Sequence, residues 1–170
     1  MTRYLCLDLG DKRTGVAVGD SILRIASPVT TLDVPVSQRA GDTLLDEIER
    51  VCIEHIGRPA TRAESAWSNP PRLAPGGVIV VGLPLNMDGS EGHRARFVRE
   101  FASRIHARVG HVVMFRDERL SSAAADWTMA QSGLTHKQKK QRRDALAAAA
   151  ILQSLLNEIG PAQAGPISQP

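Results

Sequence analysis

A chain of 170 residues, 42% apolar and 23% charged, can bury one sizeable core and predicts a single soluble domain, spanning 1–160 with a short tail at 161–170. Its two cysteines, Cys6 and Cys52, lie far apart within apolar patterns, which argues against a disulfide scaffold and a cysteine-based zinc site. The net charge of +3 is mild, but the run Lys137-Gln138-Lys139-Lys140-Gln141-Arg142-Arg143 holds five positive charges in seven residues, a density that suits a polyanion.

Met1-Thr2-Arg3 leads straight into a strand pattern, Tyr4 to Asp8, so no signal peptide is expected and the cytoplasm is the expected location. Leu9 to Thr14 is a turn and Gly15 to Gly19 a second strand, giving an antiparallel hairpin. A weaker strand is expected within Ile25 to Leu32, at a sheet edge because of Pro28. Helical spacing of Leu44, Leu45, Ile48, Val51, Cys52 and Ile56 predicts a helix from about Val36 to Ile56. Gly57 to Gly77 carries four prolines and no periodicity, and reads as an exposed loop insertion. Val78 to Val81 is a short apolar run, as in a strand buried on both faces. The loop Gly82 to Ser90 leaves its C-terminal end. A helix from about Glu91 to Val109 is expected to bury Ala95, Val98, Phe101, Ala102 and Ile105. His111 to Phe115 predicts a fifth strand. Ser121 or Ser122 is positioned to cap a short helix ending at Gly133. The last helix, about Lys139 to Ile159, turns Leu146, Ala149, Leu152, Leu156 and Ile159 inward. The longest apolar run, Ala145 to Leu152, falls well short of the roughly 20 residues of a membrane span. The order βββ-α-β-α-β-α-α defines an α/β fold, a mixed five-stranded sheet flanked by helices.

Three carboxylates stand at chemically suggestive places. Asp8 ends the first strand, Glu118 follows the fifth, and Asp144 lies early in the last helix. If strands one, four and five are parallel neighbours, Asp8 and Glu118 emerge at one sheet edge, and the last helix can bring Asp144 there. Hard oxygen donors in such a cluster suit Mg²⁺ or Mn²⁺, and two such ions support in-line phosphodiester hydrolysis. Alternation along an extended chain leaves Asp117 and Glu118 as competitors for the inward position. Lys12 and Arg13, in the first turn, are placed to hold a phosphate. The basic run opposes the dipole of the helix it opens, and a broken local rule often marks function. The five histidines show no metal-ligand spacing, and no nucleophile elbow, P-loop or dinucleotide fingerprint is present.

Four segments resemble one family. They are Leu7-Asp8-Leu9-Gly10-Asp11-Lys12-Arg13-Thr14-Gly15, Gly82-Leu83-Pro84-Leu85-Asn86-Met87-Asp88-Gly89-Ser90, Asp117-Glu118-Arg119-Leu120-Ser121-Ser122 and Asp144-Ala145-Leu146-Ala147-Ala148. In this order, over about residues 3 to 158, they resemble the bacterial pre-16S rRNA nucleases, formerly described as Holliday junction resolvases. The resemblance implies an RNase H-like fold and a metal-dependent endonuclease that matures the 5′ end of 16S rRNA, with precursor rRNA and pre-30S particles as partners. It implies Asp8, Glu118 and Asp144 as catalytic metal ligands, with Asn86 and Ser90 in a loop beside them. Lys12, Arg13, Lys137, Lys140, Asn86 and Ser90 are the expected substrate contacts, and the chain is expected to act as a monomer or weak homodimer. Competing readings are a resolvase of branched DNA, a non-catalytic RNA-binding assembly factor and a fragment of an actin-like kinase.

Overall fold

The computed structural model describes residues 1–59, 77–120 and 136–159, with side chains of the last segment given from Arg142. The expected tail, most of the 57–77 insertion and the helix expected between Ser121 and Gly133 lie outside the described residues.

Five strands form one mixed sheet: β1 (Arg3–Leu9), β2 (Thr14–Asp20), β3 (Ser27–Leu32), β4 (Gly77–Leu83) and β5 (Val112–Asp117). The spatial order is β3-β2-β1-β4-β5, with β1–β2 and β2–β3 antiparallel and β1–β4 and β4–β5 parallel. Pro28 therefore sits on an edge strand, opposite Ala17 and beside a register shift, a setting in which proline is tolerated. Three long helices are described: α1 (Asp42–Ile56), α2 (His93–Val109) and α3 (His136–Glu158).

Strand alternation sorts the core into two layers. Leu5, Leu7 and Leu9 of β1, with Ile79, Val81 and Leu83 of β4, pack against Leu44, Ile48 and Cys52 of α1 and Val98, Phe101 and Ile105 of α2. Tyr4, Cys6, Ala17, Val78 and Val80 point the other way, onto Ala148, Ile151, Leu152 and Leu156 of α3. Each expected inward residue of α1 and α2 is buried. At about 1.5–3 kcal/mol for each fully buried large aliphatic side chain, these stripes are what hold the helices on the sheet.

Five boundaries differ notably from expectation. α1 begins at Asp42, not Val36, because Arg39, Ala40 and Gly41 all take positive φ (50°, 55° and 91°) and break the helical run. β3 starts at Ser27, leaving Ile25 exposed. β4 runs on through Gly82 and Leu83, and β5 through Asp117. α3 starts at His136, so the whole basic run lies on the helix.

His111 ties the stems of the 57–77 insertion. It is buried, and its Nδ1 lies 3.0 Å from the Gly77 carbonyl and its Nε2 2.9 Å from the Gly57 carbonyl. A neutral imidazole donates through one ring nitrogen, so replacing His111 by Leu strands at least one of these carbonyls, an expected loss of about 1–3 kcal/mol. Urea unfolding reads this directly, and an unchanged midpoint would show that the two carbonyls find other partners.

Candidate active site

The alternation that sends Tyr4 and Cys6 toward α3 sends Asp8 there too, at the C-terminal end of β1. On β4 the same face carries Val78, Val80 and then Gly82. Gly82 leaves a gap that other groups fill: a Cβ there would stand 2.8 Å from Glu118 Oε1 and 2.9 Å from Ile151 Cδ1. Glu118 thus folds back over the end of β4, beside Asp8. On the far side, β2 admits α3 through Gly15, whose missing side chain leaves the space taken by the Asp144 backbone carbonyl. Gly15 pairs with Asp8 in the hairpin, so this contact brings Asp144 to Asp8.

Electrostatics tie the three together. Burial pushes the Asp8 carboxyl up to about 6, and the charge of Asp144 adds to the rise. Burial, then the charge of Asp8, pushes Glu118 up to about 7. Asp8 is the shared neighbour. Arg94, in the first turn of α2, pulls both carboxyls down. Asp144 is 24% exposed, with Arg13 Nε 3.0 Å from its Oδ2, yet that buried oxygen makes no hydrogen bond among the described residues.

Asp117 and Glu118 have different neighbours. Asp117 accepts hydrogen bonds from Arg119 Nε and Nη2 at 3.1 and 2.7 Å, and from the Arg119 backbone N–H at 3.0 Å. Those bonds hold its carboxyl below the usual range. Arg119 in turn donates to the carbonyls of Asn86 and Met87, at 3.0 and 3.1 Å. Asp117 is therefore a bracket for the 84–90 loop, and Glu118 is the one that faces Asp8.

The expected substrate contacts are distributed as follows. Lys12 is exposed at the hairpin tip, and Arg13 reaches Asp144. Asn86 Nδ2 donates to Ser90 Oγ at 2.9 Å, and Ser90 Oγ donates to Asp88 at 2.6 Å, so these side chains brace their own loop. Lys137 and Lys140 lie on the first turns of α3, outside the described side chains. Arg142 is exposed and lines a groove with Thr30 and Thr31 of β3. No motif marks Arg94; its partners Asp11 and the Leu9 carbonyl are 83 and 85 residues away.

A divalent ion fits the donor chemistry. The carboxylates supply hard oxygen ligands, and the buried Asp144 Oδ2, ion-paired with Arg13, has no hydrogen-bond partner among the described residues. Among the described residues, no three acidic, histidine or cysteine side chains close into a finished metal cage. Cys6 and Cys52 are buried free thiols, and burial pushes the Cys52 thiol up to about 12.

A mixed five-stranded sheet with Asp8 near the end of β1 and Glu118 just past β5, beneath a helix that carries Asp144, is an RNase H-like fold. Solved structures share the fold. A Thermus thermophilus RuvC bound to a Holliday junction superposes with a TM-score of 0.54 at 13% identity, covering 92% of this chain and 94% of that one. The fowlpox virus resolvase with junction DNA does so at 0.53 and 10%, covering 91% and 97%. The chain belongs to the RuvX family, whose model, described as a Holliday junction resolvase, matches residues 2–62 and 75–158. A relative from Anaeromyxobacter sp. (strain K), named "Putative pre-16S rRNA nuclease", is 41% identical over 159 residues, covering 94% of this chain and 99% of its own length. One of the same name from Methylobacillus flagellatus is 35% identical, covering 88% and 87%. No described helix is long and apolar enough to cross a membrane.

Proposed function

We propose that the protein is a metal-dependent endonuclease that trims precursor 16S rRNA at its 5′ end. The observation that supports this is the placement of Asp8 between Glu118 and Asp144, where burial first and a neighbouring carboxylate second raise Asp8 and Glu118. The names of its relatives point to precursor rRNA as substrate.

Asp8, Glu118 and Asp144 would hold Mg²⁺ or Mn²⁺, as one ion or two. When bound, such ions activate the attacking water and offset charge on the leaving oxygen. The chain's own residues orient the strand. Lys12 and Arg13 hold a phosphate beside Asp8, and Arg13 exchanges its contact with Asp144 for that phosphate. The loop carrying Asn86 and Ser90, bracketed by Arg119, forms a fixed wall of the site. Lys137, Lys140 and Arg142 on α3 hold flanking phosphates. Resolution of branched DNA is the second reading, favoured by the description of the matching family model.

The test is cleavage of a 5′-extended 16S precursor beside a four-way DNA junction, with Mg²⁺ or Mn²⁺. Selective cleavage of the precursor is expected; cleavage of the junction alone would assign the second reading, and binding of RNA without cleavage by fresh enzyme would leave an assembly factor. For the basic run, Lys140→Gln is read in the Asp144→Asn background, which prevents cleavage. Its RNA affinity is expected to lose about 0.7 in log–log salt slope, the loss of one phosphate contact on a single strand. An unchanged slope would make Lys140 solvated charge.

A further inference from the structure

Arg94 is placed unlike the other arginines of α2. It stands in the first turn of that helix, where a cation opposes the helix dipole and where α2 carries no acidic residue. Its guanidinium lies 5.5 Å over the Phe97 ring and is directed out of the helix, toward the β1–β2 turn. There it donates from Nη1 to Asp11 Oδ1 and from Nη2 to the Leu9 carbonyl at 2.5 Å. Leu9 follows Asp8 directly, so the second bond fixes the backbone that carries the central carboxylate. The first bond fixes the turn that carries Lys12 and Arg13. The same charge acts on Asp8 and on Glu118, although these come from different strand ends.

The clamp pairs part of the Arg94 charge with Asp11. A charge at this place has a second consequence. Two half-buried carboxylates side by side are costly without a cation, and the charge of Arg94 favours the ionised form of both. A guanidinium that offsets the carboxylates also opposes any other cation that approaches them.

We propose that Arg94 is a positioning residue of the site: it locks Asp8 and the β1–β2 turn against α2, and its charge stands in for a divalent ion until one binds. The exchange with a divalent ion rests on the nuclease reading above; the coupling to Asp8 does not.

Two measurements separate this from a plain clamp. In EDTA at pH 8, Arg94→Gln keeps an amide donor and deletes the charge. It is expected to lower the melting temperature by several degrees, and Asp8→Asn in the same chain is expected to recover the part of that loss that comes from Asp8, the Asp11 and Leu9 contacts accounting for the rest. Equal losses with and without Asp8→Asn would overturn the coupling. In Mn²⁺ titration calorimetry, Arg94→Gln is expected to bind about 3–10-fold tighter than wild type, because the opposing charge is gone. Arg94→Lys, which keeps the charge, is expected to bind as wild type and guards against a folding defect in the Gln variant. Unchanged or weaker Mn²⁺ binding by Arg94→Gln, with Arg94→Lys behaving identically, would reduce Arg94 to a clamp. Absence of Mn²⁺ binding in all three proteins would overturn the exchange. Failure of the nuclease reading shows separately, as wild-type protein that cleaves neither RNA nor DNA.

Discussion

Asp8→Asn, Glu118→Gln and Asp144→Asn are each expected to abolish metal-dependent cleavage while leaving the fold intact. Each removes one negative ligand and keeps the side-chain size. The loss should exceed the roughly 10–100-fold that follows removal of an outer partner of a metal site. Stability should move the other way for the first two. Asp8 and Glu118 are raised to about 6 and about 7 from ordinary values of 3.8 and 4.5, so the folded protein holds protons there that the unfolded chain releases. The sign follows: this contribution is fully present below about pH 4 and is lost as pH rises through 6 and 7. Metal-free wild type is therefore expected to melt lower at pH 8 than at pH 5, and Asp8→Asn and Glu118→Gln are expected to flatten that fall. Every kcal/mol of relieved repulsion raises the melting temperature by about 2–4 °C in a chain of this size. Asp117→Asn is the contrast. It frees Arg119 and loosens the 84–90 loop, so cleavage should weaken without vanishing. Equal loss at Asp117 would overturn the choice of Glu118, and wild-type cleavage by any of the three would remove that residue from the site.

The parts of this architecture legible in the sequence are those written in local period. The apolar stripes of α1 and α2 repeat at helical spacing, and each of their expected core residues is buried. Tyr4, Cys6 and Asp8 alternate with Leu5, Leu7 and Leu9, which is enough to put Asp8 on one face of β1. The start of α1 was not legible: Val34 and Val36 continue the apolar pattern, and nothing in Arg39 or Ala40 announces a left-handed backbone. Alternation could not choose between Asp117 and Glu118 because β5 ends between them and a 3₁₀ turn begins. Arg94 and His111 owe their roles to backbone carbonyls and a carboxylate far away in the chain. A carbonyl acceptor has no residue type, so no motif can report it.

Gly15 is the second place where a small change should have a large effect. It pairs with Asp8 on one side and Thr31 on the other, in the middle of the β3-β2-β1 ladder. A Cβ at Gly15 would overlap the Asp144 carbonyl, with the Ala145 nitrogen only 3.0 Å away. These are backbone atoms of a helix, which cannot swing aside as a side-chain end can. Gly15→Ala must therefore lift α3 from β2 or bend the strand. Overpacking in a filled core costs about 1–3 kcal/mol, and a rigid backbone contact belongs at the upper end of that range. Lifting α3 also withdraws Asp144 from Asp8, because the contact that seats the helix is made by Asp144 itself. The expected result is a melting temperature lower by several degrees and a loss of cleavage approaching that of Asp144→Asn. The two effects are separable. A destabilised variant that still cleaves at the wild-type rate would show that Asp144 is positioned by the rest of α3. A variant unchanged in both would show that α3 does not rest on β2 at Gly15. Loss of cleavage with most of the stability retained would establish Gly15 as the seat that sets the distance between the first strand's carboxylate and the last helix's.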